Sequence, residues 1–452
     1  MAVVYRCREC EFHSPKWLGR CPRCSAWDSF GELNEAVQKA SKAASGTVVH
    51  PQQLEQIELP QTTRWPSGLA EFDRVLGGGT IPSSLILIGG EPGIGKSTLL
   101  LQVAGALAQS PLQREAPILY VSGEEAAPQI KLRAQRLNMG SLDRLLVLND
   151  QRLVGVQAAV EKTKPAALVV DSVQSILPEA GKEGLGSTWQ VGQLTFELNQ
   201  LAKEKKIPVF LIGHVTKAGE LAGPKAIEHL VDVVLYLEGT RHGEVRLLRS
   251  VKNRYGSTAE LGVFKMESDG LKDIANPSEF FTQREGPPLP GSVIVPTVEG
   301  TRPILVELQA LVASNRSGGY AQRRATGLDS NRVILLMAVV EKRMGINIGN
   351  DDVYVNVVGG LSVRETACDL GVCLSVISSF KNRAIPTDTV VVGEVGLSGE
   401  IRLVSRLESR LREAAQLGYK RAVVPAGEKG LKTPLEIQQV SNLAEAVERL
   451  GI

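Results

Sequence analysis

Between residues 84 and 238, short apolar runs recur, each closing on glycine or a polar residue: "SLILIGG", "ILYVSGEE", "ALVVDSV", "PVFLIGHV" and "VDVVLYLEG". Runs this short, rich in Val, Ile and Leu, predict strands buried on both faces, and helical stretches separate them. The alternation predicts a mostly parallel sheet covered by helices from about 61 to 275. "NPSEFFTQREGPPLPGS", rich in proline, breaks the pattern and predicts a linker over 276–290. A second α/β region is expected from 291 to 452. Upstream, residues 31–60 are polar, rich in Ala, Ser and Gln and without a sustained apolar period, which predicts another linker. Residues 1–30 form a separate cysteine-rich module. The longest apolar runs, such as "VILLMAVV" at 333–340, are far shorter than a membrane span.

A chain of 452 residues is too long for one ordinary core, and two or three domains are the natural expectation. With 43% hydrophobic and 22% charged residues it has the balance of a soluble globular protein. Fifty-one basic residues against 49 acidic leave a formal charge of +2, so bulk charge announces no nucleic-acid partner, and any basic surface must be local. The opening "MAVVYRCREC" lacks the apolar stretch of a signal peptide, and a cytoplasmic location without membrane attachment is expected.

Cys7, Cys10, Cys21 and Cys24 are spaced C-x2-C-x10-C-x2-C. Two such turns supply a closed tetrahedron of thiolates, which is how structural zinc is held; four thiolates leave no open position for catalysis. A pair of disulfides is the rival reading, which a cytoplasmic chain disfavours. Trp17 and Trp27 are expected to pack on this module, whose contact, DNA or a partner protein, its residues do not choose. Cys368 and Cys373 lie in an apolar segment and read as buried core thiols.

"GGEPGIGKSTLL" contains the phosphate-loop pattern Gly90-Glu91-Pro92-Gly93-Ile94-Gly95-Lys96-Ser97, then Thr98, between an apolar strand and a predicted helix. Its glycines let backbone amides surround the phosphates of ATP, Lys96 reaches the β and γ oxygens, and Ser97 ligates Mg²⁺. Asp171, closing "ALVVD", is the expected second partner of the metal. Glu124 and Glu125 close the intervening strand; one of them is expected to activate water, Glu124 being preferred. His214 closes the next strand, either as a sensor of the γ-phosphate or as a structural histidine.

This order of features looks like the RecA/DnaB class of ring and filament ATPases. The stretch "SGLAEFDRVLGGGTIPSSLILIGGEPGIGKSTLLLQ", with "LYVSGEE", "GHVTKAGELAGPKAIEHLVDVVLYLEG" and "KNRYG", resembles the bacterial RadA (Sms) family of DNA-repair proteins over essentially the whole chain. Two departures are visible, Tyr255 where the family has Phe, and "IPSS" where it has "PGS"; neither removes a phosphate-facing group. The resemblance implies an α/β fold with a RecA-like core, an N-terminal four-cysteine zinc module and a C-terminal Lon-protease-like (ribosomal S5 domain 2-like) domain. It also implies a DNA-dependent ATPase and translocase or helicase. Such a protein promotes branch migration of recombination intermediates in homologous recombination and repair. Its implied partners are single-stranded and branched DNA and RecA, and its implied assembly is a homo-oligomeric, hexameric ring. Lys252 and Arg254 of "KNRYG" would reach the neighbouring subunit's nucleotide. Lys182 in the loop 176–193, and Lys217 and Lys225 in the loop 214–229, would face DNA.

In the second region, "GLSVRETACDLGVCLSVISSFKNRAIP" and "GEVGLSGEIRLVSRLESRLREAAQLGYKRAVVPAG" are similar to the serine-bearing and lysine-bearing segments of Lon. Ala367 stands at the serine and Glu408 at the lysine, so no protease chemistry is expected. Ser375, Ser378 and Ser379 read as helix-packing serines. Arg316, Arg323, Arg324 and Arg332 make "ASNRSGGYAQRRATGLDSNR" locally basic, a candidate contact for duplex DNA. The competing functional reading is a KaiC-like or scaffold ATPase that switches protein partners without acting on DNA.

Overall fold

The computed structural model describes residues 4–7, 10, 12–14, 16–27, 29–33, 64–110, 116–178, 187–213, 226–239, 243–282, 286–315, 320–428 and 430–452. His214, Lys182, Lys217, Lys225, Arg316 and most of the stretch 31–60 lie outside the described residues. The chain divides into two compact units, Met1–Gln61 and Thr62–Ile452.

In the first unit, strands β1 (Val4–Cys7), β2 (His13–Ser14) and β3 (Phe30–Leu33) form an antiparallel sheet in the order β2-β1-β3. Each cysteine pair sits on a tight turn: the Cys7 amide donates to Phe12 O and the Cys21 amide to Ala26 O, both at 2.9 Å. Cys7 and Cys21 are buried, with Cys10, Phe12 and Leu18 packed around them. Trp17 and Trp27 do not join this core, against expectation: they are 52% and 73% exposed, and the Arg20 guanidinium lies over the Trp27 ring at 5.5 Å. The sulfurs with Phe12 and Leu18 already fill so small an interior.

The second unit opens on a nine-stranded sheet. Its strands are β4 (Leu85–Gly90), β5 (Ile118–Ser122), β6 (Leu145–Leu148), β7 (Ala167–Asp171), β8 (Val209–Ile212), β9 (Val233–Glu238), β10 (Val245–Asn253), β11 (Leu261–Glu267) and β12 (Gly270–Asp273). Their order is β12-β11-β10-β9-β4-β8-β7-β5-β6. The run from β9 to β6 is parallel, while β10, β11 and β12 are added antiparallel. Alternate residues of one strand enter opposite layers because side chains alternate along a strand. Ile86, Ile88, Tyr120 and Val169 meet Leu99 and Val103 of one layer, and Leu85, Leu87, Leu119 and Val170 meet Val156, Leu194 and Leu198 of the other. Covering helices are α1 (Ala70–Leu76), α2 (Lys96–Gln109), α3 (Ala127–Arg136), α4 (Leu153–Thr163), α5 (Thr188–Lys205) and α6 (Ala226–Leu230). Burying each such aliphatic side chain contributes about 1.5–3 kcal/mol.

A seven-stranded mixed sheet follows, of β13 (Ser292–Glu299), β14 (Arg302–Ser314), β15 (Arg323–Thr326), β16 (Asp351–Val357), β17 (Thr389–Val391), β20 (Arg421–Pro425) and β21 (Glu436–Val440); β18 (Glu394–Val395) and β19 (Ile401–Arg402) pair separately. With it pack α7 (Pro277–Thr282), α8 (Ser330–Met344), α9 (Asp369–Lys381), α10 (Leu407–Gln416) and α11 (Leu443–Leu450). The stretch expected to be a linker over 276–290 thus begins with a helix. Phe281 of α7 is buried in the second region's core, and Ser278 Oγ donates to Glu413 at 2.6 Å and accepts from the Leu305 amide at 3.1 Å. The two apolar residues of "EFF" outweigh the prolines that follow them.

The two sheets share one core. Leu247, Leu261 and Val263 of the first, with Ile274 just past β12, belong to the same buried cluster as Val293, Val306 and Val353 of the second and Leu370 of α9. Across the joint, Arg302 donates to Glu71 at 2.6 Å, and Arg249 bridges Glu238 (2.9 Å) and Glu299 (2.7 Å).

Candidate nucleotide site

The phosphate loop leaves the C-terminal end of β4 and enters α2. Gly90 has φ 152°, and a Cβ there would meet Leu237 O at 2.5 Å; Gly93 and Gly95 also hold positive φ, 80° and 116°. These three glycines let the backbone fold around a phosphate. Lys96 is 4% exposed, and its Nζ donates to Gly90 O at 2.8 Å and Glu91 O at 2.9 Å, across the mouth of the loop. Burial holds its pKa below the usual lysine value, opposed by the charges of Asp171 and Glu124. From β10, Arg246, itself 4% exposed, donates through Nε to Ile94 O at 2.9 Å and braces the loop from behind.

Two acids face this loop. Asp171 closes β7, and the following bond to Ser172 is cis. Its carboxylate accepts a hydrogen bond from the Tyr120 hydroxyl at 2.7 Å, and the Ser97 side chain stands near it on the loop side. Burial raises its pKa; those two hydroxyls oppose the rise, and the charges of Glu125 and Glu124 add to it. Glu124 accepts from the Ser172 hydroxyl at 2.6 Å, which sets it beside Asp171, whereas the Glu125 carboxylate is paired with Arg133. The two strand-end glutamates are therefore distinguished: one faces the loop, the other an arginine of α3. Ser97 and Asp171 offer adjacent hard oxygens, a donor set that fits Mg²⁺ accompanied by phosphate oxygens.

In the first unit the four sulfurs lie within 4.8 Å of one another, with Cys7 and Cys24 3.6 Å apart and Cys10 and Cys21 3.5 Å apart. Zinc–sulfur bonds of about 2.3 Å in a tetrahedron separate sulfurs by about 3.8 Å, so the cluster fits structural zinc. None of these cysteines is in a disulfide.

Residues 5–32 match the rubredoxin metal binding domain, 55–220 an AAA domain, and 330–428 subunit ChlI of Mg-chelatase. The chain is 45% identical to the DNA repair protein RadA of Halalkalibacterium halodurans and 46% identical to that of Bacillus subtilis, in both cases over 98% of this chain and 97% of the relative. The RadA of a Streptococcus pyogenes M6 strain is 46% identical over 97% of this chain and 96% of its own. The chain belongs to the RadA family. Its fold is the one expected: a RecA-like phosphate-loop core, a four-cysteine module and a Lon-like α/β domain.

Within this RadA-family chain the remaining candidates separate sharply. Lys252 and Arg254 point to one place, the C-terminal end of α6. Lys252 Nζ donates to Glu228 O (2.6 Å), Val231 O (2.8 Å) and His229 O (3.3 Å), and Arg254 to Asp232 Oδ1 at 3.0 Å. Arg254 shares a backbone bond with Asp232, which in turn bonds Leu85, the first residue of β4. The pair thus lies at the end of the sheet opposite to its own phosphate loop, on the order of 16 Å from Gly90 at 3.3 Å per residue.

The basic segment does not form one patch. Arg323 donates to Ile348 O at 2.6 Å and to Asp351 O, fastening β15 to the loop before β16, and Arg332 pairs with the buried Asp369. Arg324 alternates to the other side of β15 and is exposed. Ala367 is 3% exposed in the core, while Glu408 lies on the surface of α10 beside Arg412. On the same helix as Glu408, Arg410 is buried and makes a two-pronged pair with Glu365 at 2.7 and 2.6 Å. Ser378 and Ser379 accept from the Gly291 and Val312 amides, as packing serines do.

Sequence reasoning missed Tyr120, Ser172, Arg246 and Arg410. Tyr120 and Arg246 left a signal: a polar or charged group inside an otherwise aliphatic strand needs a buried partner. Among the described residues no helix is long and apolar enough to cross a membrane.

Proposed function

We propose that the chain is a DNA-dependent ATPase that translocates on DNA and promotes branch migration of recombination intermediates, in repair and alongside RecA. Lys96, Ser97 and Asp171 hold MgATP, and Glu124 activates the attacking water. Lys252 and Arg254 stabilise the phosphoryl charge on the neighbouring subunit's nucleotide, in a ring of six. Lys182, Lys217, Lys225 and Arg324 track the DNA backbone. The C-terminal domain is a scaffold without protease chemistry, since Ala367 carries no nucleophile and Glu408 is no matched base.

One observation carries this reading: the cations of "KNRYG" stand at the far end of the sheet from their own phosphate loop. An arginine side chain cannot span that distance, but a head-to-tail neighbour can bring its loop to them. Hydrolysis at a shared joint couples nucleotide state to movement between subunits, which a translocase needs.

The test mixes two inactive proteins, Lys96→Ala and Arg254→Ala, with ATP and a forked oligonucleotide. If the cations act across a joint, the mixture regains ATPase and fork extension, because some joints pair an intact loop with an intact arginine. No recovery, or full-rate hydrolysis by a lone subunit, would sink the proposal. Hydrolysis indifferent to DNA would favour the partner-switching ATPase.

A further inference from the structure

Tyr120 is the middle residue of β5, paired with Val169 of β7 in a strand otherwise aliphatic through Val121. It is 1% exposed and packs with Ile86, Ile88 and Leu99 beneath the phosphate loop. Phenylalanine would fill that space equally well, so packing alone does not ask for a hydroxyl. A buried hydroxyl needs a partner, and this one has a single partner among the described contacts, Asp171 Oδ2 at 2.7 Å. On the loop side the Ser97 side chain stands near Asp171. The carboxylate is therefore held from the dry interior by the Tyr120 hydroxyl, with Ser97 close to it on the nucleotide face.

The consequence is a matter of which group moves. In a phosphate loop the serine hydroxyl is the group that would ligate the Mg²⁺ accompanying a nucleotide, so Ser97 would be engaged by the ion. The Tyr120 contact comes from the dry interior and would be left in place. It would keep the carboxylate in one rotamer whatever Ser97 does. An aspartate held by no such contact would spend freedom on binding the ion.

We propose that Tyr120 is a positioning residue for the reaction, its hydroxyl fixing the Asp171 carboxylate toward the magnesium ion that accompanies ATP. The assignment rests on the site being a nucleotide site, and its test is chosen to fail separately from that reading. Tyr120 touches neither nucleotide nor metal; it acts through Asp171 alone.

The experiment measures binding of a fluorescent ADP analogue to the full-length protein and to Tyr120→Phe, first in EDTA and then across a magnesium titration. In EDTA the two proteins should bind equally, since the phosphate loop and Lys96 are untouched. In the titration Tyr120→Phe should need about tenfold more magnesium at half-saturation, the size expected for a lost hydrogen bond to a charged group. ATPase activity should recover at high magnesium. In an Asp171→Asn background the same exchange should change the midpoint no further. Should the phenylalanine protein melt early, Tyr120→Leu in the same titration gives the reading, its EDTA binding reporting an intact loop. An unchanged magnesium midpoint would overturn the assignment while leaving the nucleotide site standing. Failure of the wild-type protein to bind the analogue with or without magnesium would overturn both.

Discussion

Lys96 illustrates how residue chemistry is set by surroundings. Its ammonium is buried and donates to two carbonyls of the phosphate loop, which hold it at the loop's mouth. Replacing Lys96 with alanine should abolish turnover, with nucleotide affinity falling alongside, as measured by ATPase rate and calorimetry. Glu124 and Glu125 are neighbours in different surroundings: the first accepts from Ser172, and the second is paired with Arg133. Glu124→Gln should lower kcat by on the order of a hundredfold with nucleotide binding kept, the effect of losing a general base. Glu125→Gln should cost far less; the reverse order would exchange their roles.

At the scale of elements, strand β10 joins two jobs. Near its start Arg246 braces the phosphate loop, and at its other end Lys252, with Arg254 just beyond it, meets the C-terminal end of α6. Lys252 neutralises the carbonyls at a helix end, a role that stabilises the fold whatever it does for a neighbour. Strand β15 divides its two arginines in the same way. Arg324→Gln should reduce the salt slope of DNA binding by about one, the contribution of one phosphate contact. Arg323→Gln should leave that slope alone and lower the melting temperature, because the guanidinium's bonds to the Gln322, Ile348, Gly349 and Asp351 carbonyls are lost. Equal effects of the two substitutions on the slope would return Arg323 to the DNA surface.

At the scale of the whole molecule, the joint between the two sheets is the decisive feature. Glu71 is 2% exposed in its side chain, accepts from the Val263 amide at 2.9 Å and meets Arg302 at 2.6 Å. Removing Arg302 leaves the buried carboxylate with only the half-exposed Arg74, 3.2 Å away, and Arg302→Ala should cost about 2 kcal/mol in urea unfolding. Because the core runs through the joint, Thr62–Ile452 should unfold in one calorimetric transition; two resolved transitions would show that the sheets fold apart. In the metal module the thiols are the core, so chelation should release one zinc per chain and unfold residues 4–33 while the ATPase core stays folded.

Much of this was legible in the chain because its causes are local. The apolar runs announced the strands of the first sheet, glycine spacing announced the phosphate loop, and four cysteines announced a metal cluster. Each depends on residues a few positions apart. The chain by itself did not tell what its cations do: Arg323 and Arg332 read as a DNA patch, and Arg246, Arg302 and Arg410 drew no notice. Arg302 and Glu71 are 231 positions apart, and Arg246 and Ile94 are 152 apart. Whether a long charged side chain faces solvent or a buried carbonyl depends on which distant segment folding brings beside it. Sequence periodicity set the elements and the loop that grips phosphate; only tertiary packing decided which charges are spent inside the molecule and which remain for a partner.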